Sequence, residues 1–364
     1  MGGKVALKGT DNLVERARAL GAEPVSPKRG NQFFKMFLEE KIENITFLIP
    51  PNPMGDQIIK NFEGISYERL NLSLPLETTK EHTRKVVEIL LKREVDLIIF
   101  IGGDGTSVDV FNVVNNEIPV LGIPSGVKTY GEVFAHNISE AIEILRSFVN
   151  DPTTMSADVL DIDETAYREG TLKVEIKGKM RVPNKPEMLQ AAKTATLHTP
   201  NMEENSKRIA EFIVELMKEK PPQTPFILGP GSTLDNIAQE LNIERSILGI
   251  DIIKNNRIQL QDAREDQIFD FCFKNGELID PVLIITPIGG QGYLFGRGNH
   301  QISPRILKKL KKENIWVVAT PSKLSSLQGG VLRVDTHDQD ADKQLQGFIR
   351  IITDWHEYQM KKVV

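Results

Sequence analysis

Asp96-Leu97-Ile98-Ile99-Phe100-Ile101-Gly102-Gly103-Asp104-Gly105-Thr106 is an apolar run that breaks off in a turn of three glycines around one carboxylate. A short apolar run bounded by turn residues predicts a buried strand. The glycines let the backbone approach a bulky anionic ligand and adopt positive φ, and successive N–H groups in such a turn form an anion-binding concavity. A plain strand-to-helix connection with Thr106 as its N-cap needs fewer glycines than this.

Outward from that turn, residues 30 to 150 alternate short β-branched runs with helical stretches. Ile45–Ile49, Val95–Ile101 and Pro119–Ile123 read as strands, and Pro53–Phe62 as a turn and short helix. Glu77–Arg93, Thr106–Asn115 and Ile138–Phe148 read as helices, the first with Val86, Val87, Leu90 and Leu91 at helical spacing. This is βαβ organisation with a parallel sheet, in which ligands sit beyond the carboxyl ends of the strands. After Asn150-Asp151-Pro152 the texture changes. Ala157–Ile162, Thr171–Ile176, Ile247–Ile252 and Gln267–Cys272 look like strands, joined by one long helix, Met202–Lys220.

The expected fold class is therefore α/β. Residues 1–150 are a parallel-sheet nucleotide-binding domain, and 151–335 a second, β-rich domain with helical insertions. The tail, 336–364, is apolar at helical intervals (Leu345, Phe348, Ile349, Ile352, Trp355) and is expected as a helix packing back on the first domain.

Composition sets limits. A chain of 364 residues is too long for one ordinary core, so two domains are expected. A net charge of −5 gives no general pull toward nucleic acid or anionic membrane, so basic sites must be local. The single cysteine, Cys272, excludes intrachain disulfides and thiolate clusters. No apolar run approaches the ~20 residues that cross a bilayer, and the first residues have no signal-peptide core, which makes a cytoplasmic protein the expectation. The six histidines lack the spacing of a helical metal pair, and no metal ligands are assigned.

Several further motifs carry chemistry. Asp104 either accepts a proton from an attacking hydroxyl or organises a magnesium ion. Asp109, one turn into the next helix, either faces the same cleft or is solvated. Gly122-Ile123-Pro124-Ser125-Gly126-Val127-Lys128-Thr129 fails the P-loop spacing but follows a strand, which puts Ser125, Gly126 and Lys128 beside the glycine turn. Gly231, Ser232 and Thr233 open a helix whose N-terminus suits an anion, with Asp235 just inside it. The stretch from Ile284 to Gln301 is dense in glycine. Gly289, Gly290, Gln291 and Gly292 form one turn, Arg297 is a fork for phosphate, and Asn299 and Gln301 can hydrogen-bond a base or sugar. Lys323 ends a further strand.

Together these residues resemble the ATP-NAD kinase superfamily, which shares Gly-Gly-Asp-Gly-Thr with diacylglycerol and sphingosine kinases. Val120–Lys128 and Thr286–Pro304 look like the archaeal and bacterial branch known as ATP-NAD kinase or acetoin-catabolism protein X. The resemblance covers nearly the whole chain. It implies two domains with the active site in a cleft, and phosphoryl transfer from ATP or polyphosphate to the 2′-hydroxyl of NAD, with Mg2+ as cofactor. It also implies a homodimer or homotetramer, with Asp104 as catalytic residue and Gly231-Ser232-Thr233 as a dinucleotide contact. Relatives carry a strand and an Asn-Pro turn ahead of a segment like Met1-Gly2-Gly3-Lys4-Val5, and an Asn-Glu pair that grips adenine; neither is evident here. Two rival expectations stand beside this one: a kinase of another small alcohol or lipid, and a nucleotide-binding regulator with little turnover.

Overall fold

A computed structural model describes residues 2–7, 13–126, 129–162, 174–191, 200–274 and 280–364. They form two compact units, one within Glu23–Tyr167 and Thr171–Ala192, the other within Met1–Ala22 and Lys193–Val364.

In the N-terminal unit, β1 (Phe47–Ile49) pairs in parallel with β2 (Tyr67–Arg69), and β3 (Ile98–Gly102) with β4 (Val120–Pro124). The β3–β4 register sets Gly102 opposite Pro124, so the loops that leave these strands start side by side. Helix Asp104–Val114 follows β3 directly. Helix Ile138–Asn150 starts where the Asn137 side chain accepts the Glu140 N–H at 2.8 Å, and it buries Ile138, Ala141, Ile142, Leu145 and Phe148 at helical spacing. On the next helix, Ser26–Glu39, Phe33, Phe34 and Phe37 meet Phe47 of β1 edge-on, with ring centroids 5.0–6.3 Å apart. Gly122 leaves room for the Phe134 ring, which a β-carbon there would approach to 2.5 Å. The composition break at residues 150–152 does not end this unit. The chain runs on into an antiparallel hairpin, β5 (Thr154–Ile162) with β6 (Val174–Pro183).

The C-terminal unit holds a seven-stranded sheet among its described residues. In chain order its strands are β7 (Phe226–Leu228), β8 (Asp251–Lys254), β9 (Arg257–Leu260), β10 (Val282–Ile285), β12 (Ile315–Val318), β14 (Gly347–Asp354) and β15 (Glu357–Val363). Their spatial order is β15-β14-β12-β10-β7-β8-β9. The middle four are parallel and the flanking pairs antiparallel. Side chains alternate across the sheet: Leu283 and Ile285 enter one apolar cluster, Val282 and Ile284 another. A parallel sheet covered on both faces explains why Val282-Leu283-Ile284-Ile285 is apolar throughout. Helix Pro200–Lys218 covers one face through Ile209, Phe212, Ile213 and Met217. Two short strands, β11 (Tyr293–Phe295) and β13 (Arg333–Val334), pair separately.

Three expected elements differ. The strand expected over Ile247–Ile252 begins only at Asp251 and runs on to Lys254. Gln267–Cys272, read as a strand, is helical: helix Glu265–Phe269 continues as a wider turn over Asp270–Lys274. Ile268 and Cys272, four residues apart, enter one cluster, and the Gln267 side chain accepts the Arg264 N–H at 2.9 Å to start the helix. The tail, expected as a helix, is helical only over Gln339–Leu345 and then forms the β14–β15 hairpin at the edge of the C-terminal sheet. Its spacing fits a helix equally well, but the β-branched run Ile349-Arg350-Ile351-Ile352-Thr353 is at home on a pleated surface with a strand to pair. Among the described residues no helix is long and apolar enough to cross a membrane.

Candidate active site

In the N-terminal unit the site is built from the carboxyl ends of β3 and β4. Asp104 is the first residue of its helix, with Gly103 as N-cap, so the helix begins two residues earlier than the sequence suggests. The Asp104 carboxylate is 5% exposed. Its Oδ1 accepts the backbone N–H groups of Tyr130 and Gly131, each at 3.0 Å, and Oδ2 lies 2.9 Å from the Tyr130 nitrogen. The acid is thus not borne on a loose bend; it is fixed in one orientation at the positive end of a helix.

The three glycines do different things, and none has positive φ. A β-carbon at Gly102 would strike the Thr106 side chain at 2.4–2.8 Å, so Gly102 lets Thr106 fold back over the turn. A β-carbon at Gly103 would meet only the Gly126 α-carbon, at 3.9 Å, and one at Gly105 would meet nothing within 4 Å. Those two positions leave the backbone open to approach.

The second loop is tied to the first. The Ser125 N–H donates to the Gly102 carbonyl at 2.9 Å, and the Ser125 hydroxyl shares a 2.9 Å hydrogen bond with that of Ser26. Buried Arg29, from the same helix as Ser26, donates to the Pro124 carbonyl at 3.1 Å. Farther along the loop, the Thr129 hydroxyl donates to Gln190 at 2.8 Å. Lys128 lies outside the described residues. Asp109 is engaged in an ion pair with Arg84 of helix Lys80–Lys92 at 2.8 Å, which joins the two helices.

In the C-terminal unit the loops after β7, β10 and β12 meet around Thr286, as the parallel topology dictates. Gly231 has φ +126°, and a β-carbon there would come within 2.8 Å of the Thr286 methyl. The Thr286 hydroxyl accepts the Lys323 ammonium at 2.9 Å. Beside this chain of contacts lies a cavity of about 420 Å3. Ser232, Thr233, Asp235 and Lys323, all singled out in the sequence, line it. Thr320, in the same strand-end loop as Lys323, lines it too, as do Ser206, Lys207, Asn236 and Gln239, which sequence reasoning missed.

Arg245, also missed, props this arrangement from behind. It is 3% exposed, donates to the Gly229 carbonyl at 2.8 Å, and approaches Asp235 at 3.5 Å. Its main counter-charge is fully buried Asp251, at 3.1 Å. Burial raises the pKa of Asp235 above the usual carboxylate range; Arg245 pulls against this and Asp251 adds to it.

The glycine-dense stretch serves mainly to build its own loop. Arg297, expected as a phosphate fork, is 3% exposed, pairs with buried Asp335 at 3.2 Å and lies 4.8 Å from the centre of the Tyr293 ring. Asn299, expected to meet a base or sugar, is fully buried; its amide donates to the Leu294 carbonyl at 2.8 Å and accepts the Gly296 N–H at 3.1 Å. Gly296 has φ +91°, and a β-carbon there would lie 1.9 Å from the Asp335 carbonyl oxygen, so glycine is demanded by the packing of the backbone. A guanidinium and an amide this deep need internal partners, which explains their use. Gln291 and Gln301 are buried as well. The Gly290 carbonyl accepts the Gln328 N–H at 3.1 Å, Gly292 the Arg333 N–H at 2.9 Å, and Gly289 has φ +56°.

Residues 33–153 match the ATP-NAD kinase N-terminal domain, and residues 224–363 the ATP-NAD kinase C-terminal domain. The first match contains the Gly102–Thr106 turn and the second the Gly231–Asp235 and Lys323 loops. These domains define a phosphotransferase of the NAD kinase type. With well over half its length matched, the chain belongs to the ATP-NAD kinase superfamily. No curated protein and no solved structure matches it significantly.

Proposed function

We propose that this chain transfers a phosphoryl group from ATP or polyphosphate to the 2′-hydroxyl of the adenosine ribose of NAD, giving NADP. The observation that carries the reading is the Asp104 carboxylate, locked by the Tyr130 and Gly131 amides within a turn whose Gly103 and Gly105 admit close approach. Phosphoryl transfer passes through a loose transition state, so positioning and charge neutralisation supply most of the acceleration. A carboxylate held in one rotamer suits that need. In this reading Asp104 aligns the acceptor hydroxyl and takes its proton, and the amides of the Gly102–Thr106 turn and the Ser125 loop meet the donor phosphates.

The kinase reading implies magnesium. Mg2+ is ordinarily held by one or two carboxylates together with substrate phosphates. The open backbone at Gly105 beside the Asp104 carboxylate suits such a partial donor set, whereas among the described residues no group of three or more acidic, histidine or cysteine side chains forms a closed cage. Were Asp104 to hold the ion in place of taking the proton, it would be the protein ligand, and the ion would neutralise charge on the donor phosphates.

The test is an assay of NAD, NADH, diacylglycerol and small polyols as acceptors, with labelled ATP and with polyphosphate as donors. NADP should form, and Asp104→Asn should lower kcat by roughly 10²–10⁴-fold. Label in another acceptor but not in NAD moves the chain to another substrate, and full turnover in the variant removes Asp104 from the chemistry.

A further inference from the structure

Arg333 is 4% exposed and meets no carboxylate among the described residues. Other buried guanidinium groups of the C-terminal unit do: Arg245 faces Asp251 at 3.1 Å, and Arg297 faces Asp335 at 3.2 Å. Arg333 instead donates from Nη1 to the Gln328 carbonyl at 3.0 Å, and its buried Nε has no hydrogen-bond partner. We propose that Arg333 is the floor of a binding site for a small oxyanion, a phosphoryl or carboxylate group, that enters over Gly329 and Gly330. The site is argued from its own residues and does not depend on the kinase reading.

The chain holds this side chain inside. On β13 Arg333 stands opposite Tyr293 of β11, and its N–H donates to the Gly292 carbonyl at 2.9 Å. Its neighbours Leu332 and Val334 enter one apolar cluster, so strand alternation turns Arg333 to the other face. A guanidinium carries five N–H donors and cannot shed its proton. Buried with one backbone carbonyl and no counter-charge, it is a costly group that an arriving anion would compensate.

The direction of entry follows from the same atoms. Nε and Nη2 lie along one edge of the guanidinium, the fork that carboxylates and phosphates grip with two parallel hydrogen bonds. Nη2 lies 3.8 Å from where a β-carbon at Gly329 would stand, and a β-carbon at Gly330 would meet nothing within 4 Å. Both glycines are exposed and left-handed, at φ +68° and +67°, so no side chain of that turn bars the fork. The Gln328 N–H donates to the Gly290 carbonyl at 3.1 Å, which clasps the turn to the glycine-dense loop after β10. The phosphate fork expected of Arg297 is occupied by Asp335; the guanidinium left open in this region is that of Arg333. A lone fork suits one oxyanion group better than a polyphosphate chain.

Nuclear magnetic resonance of the Arg333 Nε–H group in the full chain tests this, with inorganic phosphate and acetate as probes against chloride at equal ionic strength. Arg333→Lys, which keeps the charge and removes the fork, assigns the signal. Phosphate, acetate or both should shift it saturably and slow its solvent exchange at least tenfold. A response to phosphate alone assigns a phosphoryl ligand, and one to acetate alone a carboxylate. Gly329→Asp sets a carboxylate beside Nη2 in a left-handed position that aspartate tolerates, and should weaken the response at least tenfold in probe concentration. A signal unmoved by both probes, or a response unchanged in Gly329→Asp, overturns the proposal.

Discussion

The backbone N–H of Tyr130 points at the Asp104 carboxylate, 3.0 Å from one oxygen and 2.9 Å from the other, across 26 positions of sequence. The acid of the glycine turn is thereby also the anchor of the loop that follows β4. This separates two substitutions that chemistry alone would treat alike. Asparagine can keep a carbonyl oxygen where Oδ1 accepts Tyr130 and Gly131 but sets an NH2 group where Oδ2 lies 2.9 Å from the Tyr130 nitrogen, so Asp104→Asn should lose less stability than Asp104→Ala while losing activity. Asp104→Ala loses the charged acceptor too, and urea titration should show it less stable by about 1.5–3 kcal/mol.

The glycines of the turn divide in the same way. Gly102→Ala forces a β-carbon against Thr106 and should cost about 1–3 kcal/mol in denaturant unfolding. Gly105→Ala meets no neighbour inside a helix and should stabilise by about 0.4–1 kcal/mol. If phosphates approach that backbone, Gly105→Ala should still raise KM for the donor. A variant that is more stable and kinetically unchanged would place the donor elsewhere.

Arg245 and Asp251 form a buried ion pair whose partners also hold the Gly229 carbonyl and the Ser246 hydroxyl. Removing one charge from such a pair leaves the other unsatisfied. Arg245→Met should destabilise by about 3–5 kcal/mol, measured by urea unfolding of the whole chain. Arg245→Lys, which retains charge but not the fork, should recover only part of this.

Acid should loosen the C-terminal hairpin selectively. Arg208 holds the Asp354 carboxyl down from 3.8 to about 2, with help from the Trp355 N–H and Asn205 and against a cost of burial. A carboxyl whose folded pKa is depressed contributes stability that is complete above its unfolded value and disappears as pH falls through the folded one. The loss should therefore fall between pH 4 and 2, seen as faster amide exchange in β14 and β15 relative to β10. Asp354→Asn should abolish that difference.

The sequence showed what depends on neighbours along the chain. The Ile98–Gly102 strand, its glycine turn and the strand at Val120–Pro124 could be read because apolar runs and turn residues act locally. The tail could not be settled that way: Phe348, Ile349, Ile352 and Trp355 fit a helix by interval, and the deciding fact is the strand Glu357–Val363 folding back on them. Arg297 was read by its chemical type as a phosphate fork, but its counter-charge, Asp335, lies 38 positions away. Ser206 and Lys207 carried no motif at all; only packing sets them on a cavity with Thr233 and Lys323.

Strand β10 sends Leu283 and Ile285 into one apolar cluster and Val282 and Ile284 into the other, and its next residue is Thr286, which touches Gly231 and Lys323. The two clusters are therefore not independent reserves of rigidity. They share a partition, and the threonine at its rim records the condition of both. Truncating Leu283 on one side or Ile284 on the other would shift the same hydroxyl, so harm far from the lysine would be felt there whichever side it began on.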